Sequence, residues 1–575
     1  MINAFHNPYD PAFRRPLGAL KAGEGTLLRL TAGGAARATL RLWRQDHEEL
    51  IPMRRVEDNL FEAFCPAGNS AGLLWYYFIC EEPGGARVRV GKPVGGICEC
   101  RMDEPASFQI TVYDPAFETP SWMRGSVMMQ IFPDRFAIGR KIFPPTGRGN
   151  YLHSSWNEPP HVNPDSNDIE GIDFFGGNLF GIAEKMPYIA DMGIKALYLN
   201  PIFRARSNHK YDTGDYMHVD PCFGGDEALE ELLKAAARVD IRVVTDGVFS
   251  HTGADSVYFN KFNTYPSRGA YNSYENSPYS GWYRFGGSRD EYECWWDFDT
   301  LPDVEELSPS FMDFIIRAPD SVLAHYLNKG TAGWRLDVAD ELPMDFIRAV
   351  RRRVKEVNPD ACVIGEVWED ITNKVAYGET RCYSAGDTLD SAMNYPLRTH
   401  LIDFLLGRES AYALSEFLNH QLSTLPRPQY YSMMNLLGSH DRPRIISVLS
   451  GRDGLEPPRL ERHAQTLSQG EYELGKSRFL RAFEFICRLP GMPCLYYGDD
   501  MGLTGMTDPF CRGTYPWQGG DTELHSAVCS IIKERNASPV LRDGSLTVRA
   551  ADGDTLSYTR ELDGKTLSYT FRRDI

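Results

Sequence analysis

DEALEELLKAAARVDIRVVTDGV, residues 226 to 248, decides the fold class. Its first fifteen residues put Leu229, Leu232, Leu233 and Ala236 on one helical face. The last eight, IRVVTDGV, read as a buried strand that ends on a charge, Asp246. The same unit recurs along the chain. GIKALYLNP (193–201) is the strand before it. GWRLDV (333–338) is a later strand, followed by a helix with Phe346, Ile347, Val350, Val354 and Val357 on one face, ended by Asn358-Pro359. ACVIGEV (361–367), MMNLLGSHD (433–441) and MPCLYYGDD (492–500) repeat the form. Apolar strands alternating with amphipathic helices imply an α/β fold with a helix-covered parallel sheet. An open sheet and a closed barrel both fit that pattern. Asp246, Asp337, Glu366 and Asp441 each end a different strand, and only a closed (β/α)8 TIM barrel brings such ends to one mouth.

The flanks read differently. Residues 1–120 contain TLLRL, ATLRLW, LLWYYFIC and ARVRVG, short strands between Gly-, Asn- and Pro-containing turns, which predict an N-terminal β-sandwich. The barrel is expected over 121–536, with a long connection at about 252–306, rich in Tyr, Ser, Asn, Gly and Trp, over its mouth. Residues 537–575 hold GSLTVRA and DTLSYTRELDGKTLSYTF, a short C-terminal β-domain with an Asp-Gly turn.

A net charge of −17 argues against an electrostatic grip on nucleic acid or on an anionic membrane, and no run approaches a membrane span. The start, MINAFHNPYDPAFRRPLG, lacks an apolar stretch behind a basic one, so no secretory signal is expected. The twelve cysteines show no CxxC pair, which makes a disulfide framework or zinc site improbable and the cytoplasm the expected compartment.

GWRLDVADE (333–341) raises the functional question. Arg335 and Asp337 project to the same side of a strand, either as a structural ion pair or as a cation holding a reactive carboxylate ionised. One carboxylate at a strand end is more often a cap or an ion-pair partner. Three carboxylates, an arginine and two Ser-His pairs (250–251 and 439–440) at one mouth are another matter. GxxxxGK[ST] and HExxH are both absent. Converging carboxylates without a phosphate loop or a metal spacing point to glycoside hydrolysis.

DGVFSH (246–251), GWRLDVADE, GEVWED (365–370) and LLGSHD (436–441) resemble, in order and spacing, the four signature regions of the α-amylase superfamily of glycoside hydrolases. LNPIF (199–203), SNHKYDTGDY (207–216), LPDVE (301–305) and MTDPFCR (506–512) extend the likeness towards its neopullulanase, cyclomaltodextrinase and maltogenic amylase subgroup. The resemblance implies a retaining α-glucan hydrolase cleaving α-1,4, and in some members α-1,6, bonds in cyclodextrins, maltooligosaccharides and pullulan. It makes Asp337 the nucleophile, Glu366 the general acid/base and Asp441 the third carboxylate. Tyr211 would stack on the sugar being cleaved, with His251 and His440 hydrogen-bonded to it, while Asp508 and Arg512 touch the next sugar on the donor side. Glu341 and Trp368 would face the leaving group, and Asp246 would support Arg335 and the nucleophile. The alternatives are a transglycosylase or α-1,6-specific enzyme on the same scaffold, or a non-catalytic glycan-binding relative.

The departures from the family pattern carry expectations too. Ser250 replaces the usual asparagine before the first histidine, and Asp340 adds a charge where asparagine is commoner. PDRF (133–136) continues Ala137-Ile138-Gly139-Arg140 instead of Asn-Gly-Asp, and Asn178 stands where aspartate is common. A calcium ion is therefore not expected to be required. The subgroup pattern also implies a homodimer in which the N-terminal sandwich, with Trp43, Trp75, Tyr76 and Tyr77, covers the partner's active site.

Overall fold

The computed structural model describes residues 2–44, 47–93, 95–162, 171–452 and 466–573. Eight parallel strands form its centre: β1 (Met128–Ile131), β2 (Ala196–Leu199), β3 (Arg242–Gly247), β4 (Gly333–Leu336), β5 (Cys362–Gly365), β6 (Ser391–Ala392), β7 (Met434–Leu436) and β8 (Met492–Tyr496). Each pairs with its sequence neighbours, β8 returns to β1, and a parallel bridge from Met393 to Met434 joins the ends of β6 and β7. This is the closed barrel. The amphipathic stretches form helices on its outside, among them α1 (Gly225–Arg238) and α2 (Met344–Val357), whose apolar faces are buried as the 3.6-residue period requires.

Strand register positions the chemistry. Asp246 on β3 lies opposite Arg335 on β4, and Leu336 lies opposite Gly365 on β5, so Asp337 and Glu366 leave adjacent strands at the same level. Gly333 opens β4 with φ 148°, and a Cβ there would lie 2.3 Å from the carbonyl oxygen of Cys362. Only glycine lets β4 approach β5 this closely.

A five-stranded and a seven-stranded sheet within residues 3–113 pack on a shared core that includes Leu28, Leu30, Leu40, Leu42 and Phe78. Tyr76 and Tyr77 are buried, whereas Trp43 and Trp75, opposite each other in register, are half-buried. The sandwich is joined to the barrel by Gln109 Nε2, which donates to Thr372 Oγ1 at 2.8 Å, and by Lys92 paired with Glu416. A three-stranded antiparallel sheet (Ser545–Ala550, Thr555–Leu562, Lys565–Arg572) turns at Asp563-Gly564, both residues at positive φ. Residues 252–306 hold short helical turns and isolated β-bridges, closed over buried aromatics such as Tyr258, Phe259 and Trp282. Among the described residues no helix is long and apolar enough to cross a membrane.

Candidate active site

Arg335 is fully buried, and its guanidinium serves three carboxylates. Nη1 donates to Asp246 Oδ1 at 2.9 Å and to Asp337 Oδ1 at 2.6 Å, while Nη2 lies 2.8 Å from Glu366 Oε2. Asp246 is further fixed on Oδ2 by the hydroxyls of Tyr198 at 2.5 Å and Tyr211 at 2.9 Å. The arginine is therefore not a private partner of Asp337. One cation faces an excess of buried negative charge, and this shows in the titration of the group. Burial, then the Glu366 and Asp246 carboxylates, raise the Asp337 carboxyl well above its usual range against the pull of Arg335. Burial raises Asp246 as well, and burial with Glu366 pushes Asp441 up to about 7. Burial and mutual repulsion thus oppose simultaneous ionisation of Asp246, Asp337 and Asp441, and Arg335 is the counter-charge that favours it.

Glu366 is oriented from three sides. Besides Arg335, the backbone N–H of Val338 donates to Oε2 at 2.8 Å and the Trp368 indole N–H to Oε1 at 3.2 Å. The Trp368 ring in turn stacks on Tyr395 at 3.9 Å between centroids, with the Arg442 guanidinium 4.2 Å from its centre.

A hydrogen-bond chain crosses the mouth from β1. Gln130 Nε2 donates to His440 Nδ1 at 2.8 Å, His440 Nε2–H to the Tyr211 hydroxyl at 2.6 Å, and that hydroxyl to Asp246. Burial holds His440 well below its usual pKa, which keeps it neutral and fits the single ring proton the chain needs. The Tyr211 and His440 rings lie 4° from parallel, 5.3 Å apart. His251 is also neutral, pushed down to about 4 by burial. Its Nε2–H donates to the Tyr211 carbonyl at 3.2 Å, and its Nδ1 accepts from Ser250 Oγ at 3.0 Å. The serine that replaces the usual asparagine thus still holds the ring.

On the Asp441 side, Arg512 Nη2 lies 3.7 Å from Asp441 Oδ1 and Nη1 2.9 Å from Asp508 Oδ1, while Nε donates to the His440 carbonyl at 3.1 Å. On the opposite side, Glu341 is occupied by protein groups: the indoles of Trp295 and Trp296 donate to its two oxygens at 2.6 and 3.0 Å. The extra charge expected from Asp340 is not free either, because Lys374 pairs with it and the Tyr383 hydroxyl donates to it at 2.8 Å.

Where PDRF departs from the family pattern, an amide and a cation, Asn178 and Arg140, stand in place of carboxylates. Asn178 Nδ2 lies 3.1–3.3 Å from the carbonyls of Gly139, Lys141 and Gly176, which share its two hydrogens. Its Oδ1 caps the following helix through Gly181 N–H at 2.9 Å. Arg140 adds its own positive charge beside this site and pairs with Glu227 and Glu231.

Several groups of the site escape sequence reading. Gln130 and Tyr198 lie inside the apolar runs of β1 and β2, where a polar side chain reads as a satisfied core residue. Tyr395 opens a helix far from any motif. For Gln130 and Tyr198 the available signal was position at the inner, C-terminal part of a barrel strand.

The family description "Alpha amylase, catalytic domain" matches residues 130–540. The chain is 34% identical over 617 residues to an amylopullulanase of Thermoanaerobacterium saccharolyticum, covering 97% of this chain and 46% of that protein. It is 33% identical over 448 residues to a cyclomaltodextrinase of Geobacillus thermopakistaniensis, covering 76% of this chain and 66% of the relative. Among solved structures, the cyclic α-maltosyl-(1→6)-maltose hydrolase of Arthrobacter globiformis superposes with a TM-score of 0.66 at 28% identity, over 79% of this chain and 91% of that one. The chain spans less than half the length of the amylopullulanases it matches.

Proposed function

The chain belongs to the α-amylase family of glycoside hydrolases, and from that premise we propose that it is a retaining α-glucan hydrolase. The observation that carries the proposal is the bridging of Asp337 and Glu366 by one guanidinium. Two carboxylates sharing Arg335 are close neighbours, as attack and proton donation at one glycosidic bond require; retaining enzymes set theirs about 5–5.5 Å apart. Glu366 gives its proton to the glycosidic oxygen as the carboxylate of Asp337 attacks the anomeric carbon. The C–O bond to the leaving sugar breaks and a glycosyl ester forms on Asp337. Glu366 then takes a proton from water, which attacks the same carbon and frees Asp337, leaving an α-product. Asp441, with Arg512 Nη2 3.7 Å from its Oδ1, would grip the sugar as it distorts.

Cyclodextrins, maltooligosaccharides and pullulan are the proposed substrates, in line with what relatives named cyclomaltodextrinase, neopullulanase and amylopullulanase act on by name. Activity without calcium is part of the proposal and rests on the Asn178 amide and on Arg140. So is a cytoplasmic setting, which suits twelve free thiols. Asp337→Asn and Glu366→Gln are each expected to lower kcat by several orders of magnitude with the fold retained by circular dichroism. Near wild-type turnover in either, or early β-anomer in the product by NMR, overturns the mechanism.

A further inference from the structure

Asp340 and Glu341 follow Asp337 by three and four residues, and each fastens a different loop. Glu341 holds the long loop through the indoles of Trp295 and Trp296. Asp340 holds the hairpin Lys374–Ala376/Glu379–Arg381 through Lys374, and from the facing strand Arg381, opposite Lys374 in register, donates from Nη1 to the Leu342 carbonyl at 2.6 Å. At the hairpin tip, loss of solvent at the hydroxyl end and then the Glu341 carboxylate raise the Tyr377 phenol, although its ring stays exposed. Two loops some eighty residues apart in sequence, from Trp296 to Tyr377, thus meet over one pair of acids.

The rings presented in this way are not folded into a core. Trp296 is 70% exposed and Tyr377 69%. Both have left-handed backbones, with φ 50° and 51°, as does Asp297 at 62°. Left-handed geometry is unfavourable for residues other than glycine, and no apolar burial compensates for it here. Trp295, one residue inward, lies 5.3 Å ring to ring from His251, which makes the rim continuous with the carboxylate site. The rim is anchored on the turn after Asp337 and on the hairpin after Glu366, whereas Arg512 and Asp508 lie against Asp441 on the other side.

We propose that Trp296 and Tyr377, tethered through Glu341, form a stacking platform for a glucosyl unit on the leaving-group side of the scissile bond. Glu341 is then a positioning residue, its oxygens taken by indoles, and Asp340 positions the second half of the platform through Lys374. Flat C–H faces of pyranose rings suit such rigid amphipathic surfaces. The inference rests on the α-glucan hydrolase reading and gives it a chain-length preference.

The test compares maltoheptaose with α-maltosyl fluoride, whose leaving group is too small to reach the platform. In Trp296→Ala and in Tyr377→Ala, the ratio of kcat/KM for maltoheptaose to that for the fluoride is expected to fall about tenfold, the loss of one stacked ring, through KM and not kcat. Glu341→Ala is expected to match them, and Glu341→Gln, which keeps a carbonyl acceptor, to recover most of the ratio. An unchanged ratio in all variants overturns the proposal. Titration with maltoheptaose followed by tryptophan fluorescence is a separate readout that needs no turnover. The wild type is expected to respond and Trp296→Ala to lose most of the response; an equal response in both overturns the platform even if the chain hydrolyses nothing. Hydrolysis failing while the titration succeeds would instead remove the catalytic reading alone.

Discussion

Val338 donates its backbone N–H to Glu366 Oε2 at 2.8 Å from a left-handed conformation, φ 37°. A β-branched residue rarely adopts this region, and the turn persists because Asp337 N–H is bonded to Gly247 and Glu366 N–H to Leu336 on either side. The strained peptide aims a donor at the proposed acid/base.

Val338→Gly should therefore be nearly neutral for stability. Relief of about 1–2 kcal/mol of left-handed strain offsets roughly 0.5–1 kcal/mol of added backbone entropy and the loss of a half-buried isopropyl group. A urea titration is expected to move by about 1 kcal/mol or less, with kcat kept within about threefold because the N–H remains. A loss above about 3 kcal/mol would mean that the conformation is not strained.

Asp441 gives a pH signature. Its folded pKa, pushed up to about 7 by burial and by Glu366, exceeds the unfolded value of 3.8. The folded state therefore binds its proton more tightly, and the stability linked to that proton is complete below pH 3.8 and lost as pH rises through about 7. Asp441→Asn removes this loss. Its melting temperature relative to wild type should climb between about pH 4 and 7 and level off above, a gain of a few kcal/mol at most, while hydrolysis collapses. A pH-independent difference would show that Asp441 is not held protonated by its surroundings.

The barrel and its acidic mouth were legible because both follow from periodicity: apolar strands, one-faced helices, and charges where strands end. Asp246, Arg335, Asp337 and Glu366 meet in space because adjacent parallel strands in register bring their ends together. What the sequence hid depends on side chains that reach across loops. Nothing local says that Lys374 neutralises Asp340, or that Glu341 is spent on two indoles some forty-five residues away in the chain. The sharing of Arg335 among three carboxylates was hidden for the same reason, since only the strand register decides it.

The proposed independence from calcium can be inverted by one substitution. Asn178→Asp exchanges the NH2 shared among three carbonyls for a second carboxylate oxygen, so those carbonyls lose their donor. In EDTA this variant is expected to melt several degrees below wild type, and calcium should restore part of the loss by supplying the missing positive charge. Wild type should show no difference between EDTA and calcium. A wild-type loss in EDTA, restored by calcium, would place a tight metal site elsewhere in the chain.

The last prediction concerns assembly. We propose a two-fold dimer in which the sandwich of one chain covers the mouth of the other, since a self-complementary patch closes with two copies. Of the four aromatics expected at this contact Tyr76 and Tyr77 are buried, which leaves the half-buried pair Trp43 and Trp75, opposite each other in register. Arg41 lies over Trp43 at 5.1 Å and is ion-paired with Glu48 at 2.7 Å. Light scattering of the full chain should give about twice the 65.0 kDa of one copy. A covered mouth admits short or cyclic glucans and excludes long ones, so kcat/KM should be higher for β-cyclodextrin than for starch. Trp75→Glu puts a charge at the centre of the contact and should weaken the dimer and narrow that preference together, because one surface serves both. A monomeric wild type with starch as its best substrate would overturn the arrangement.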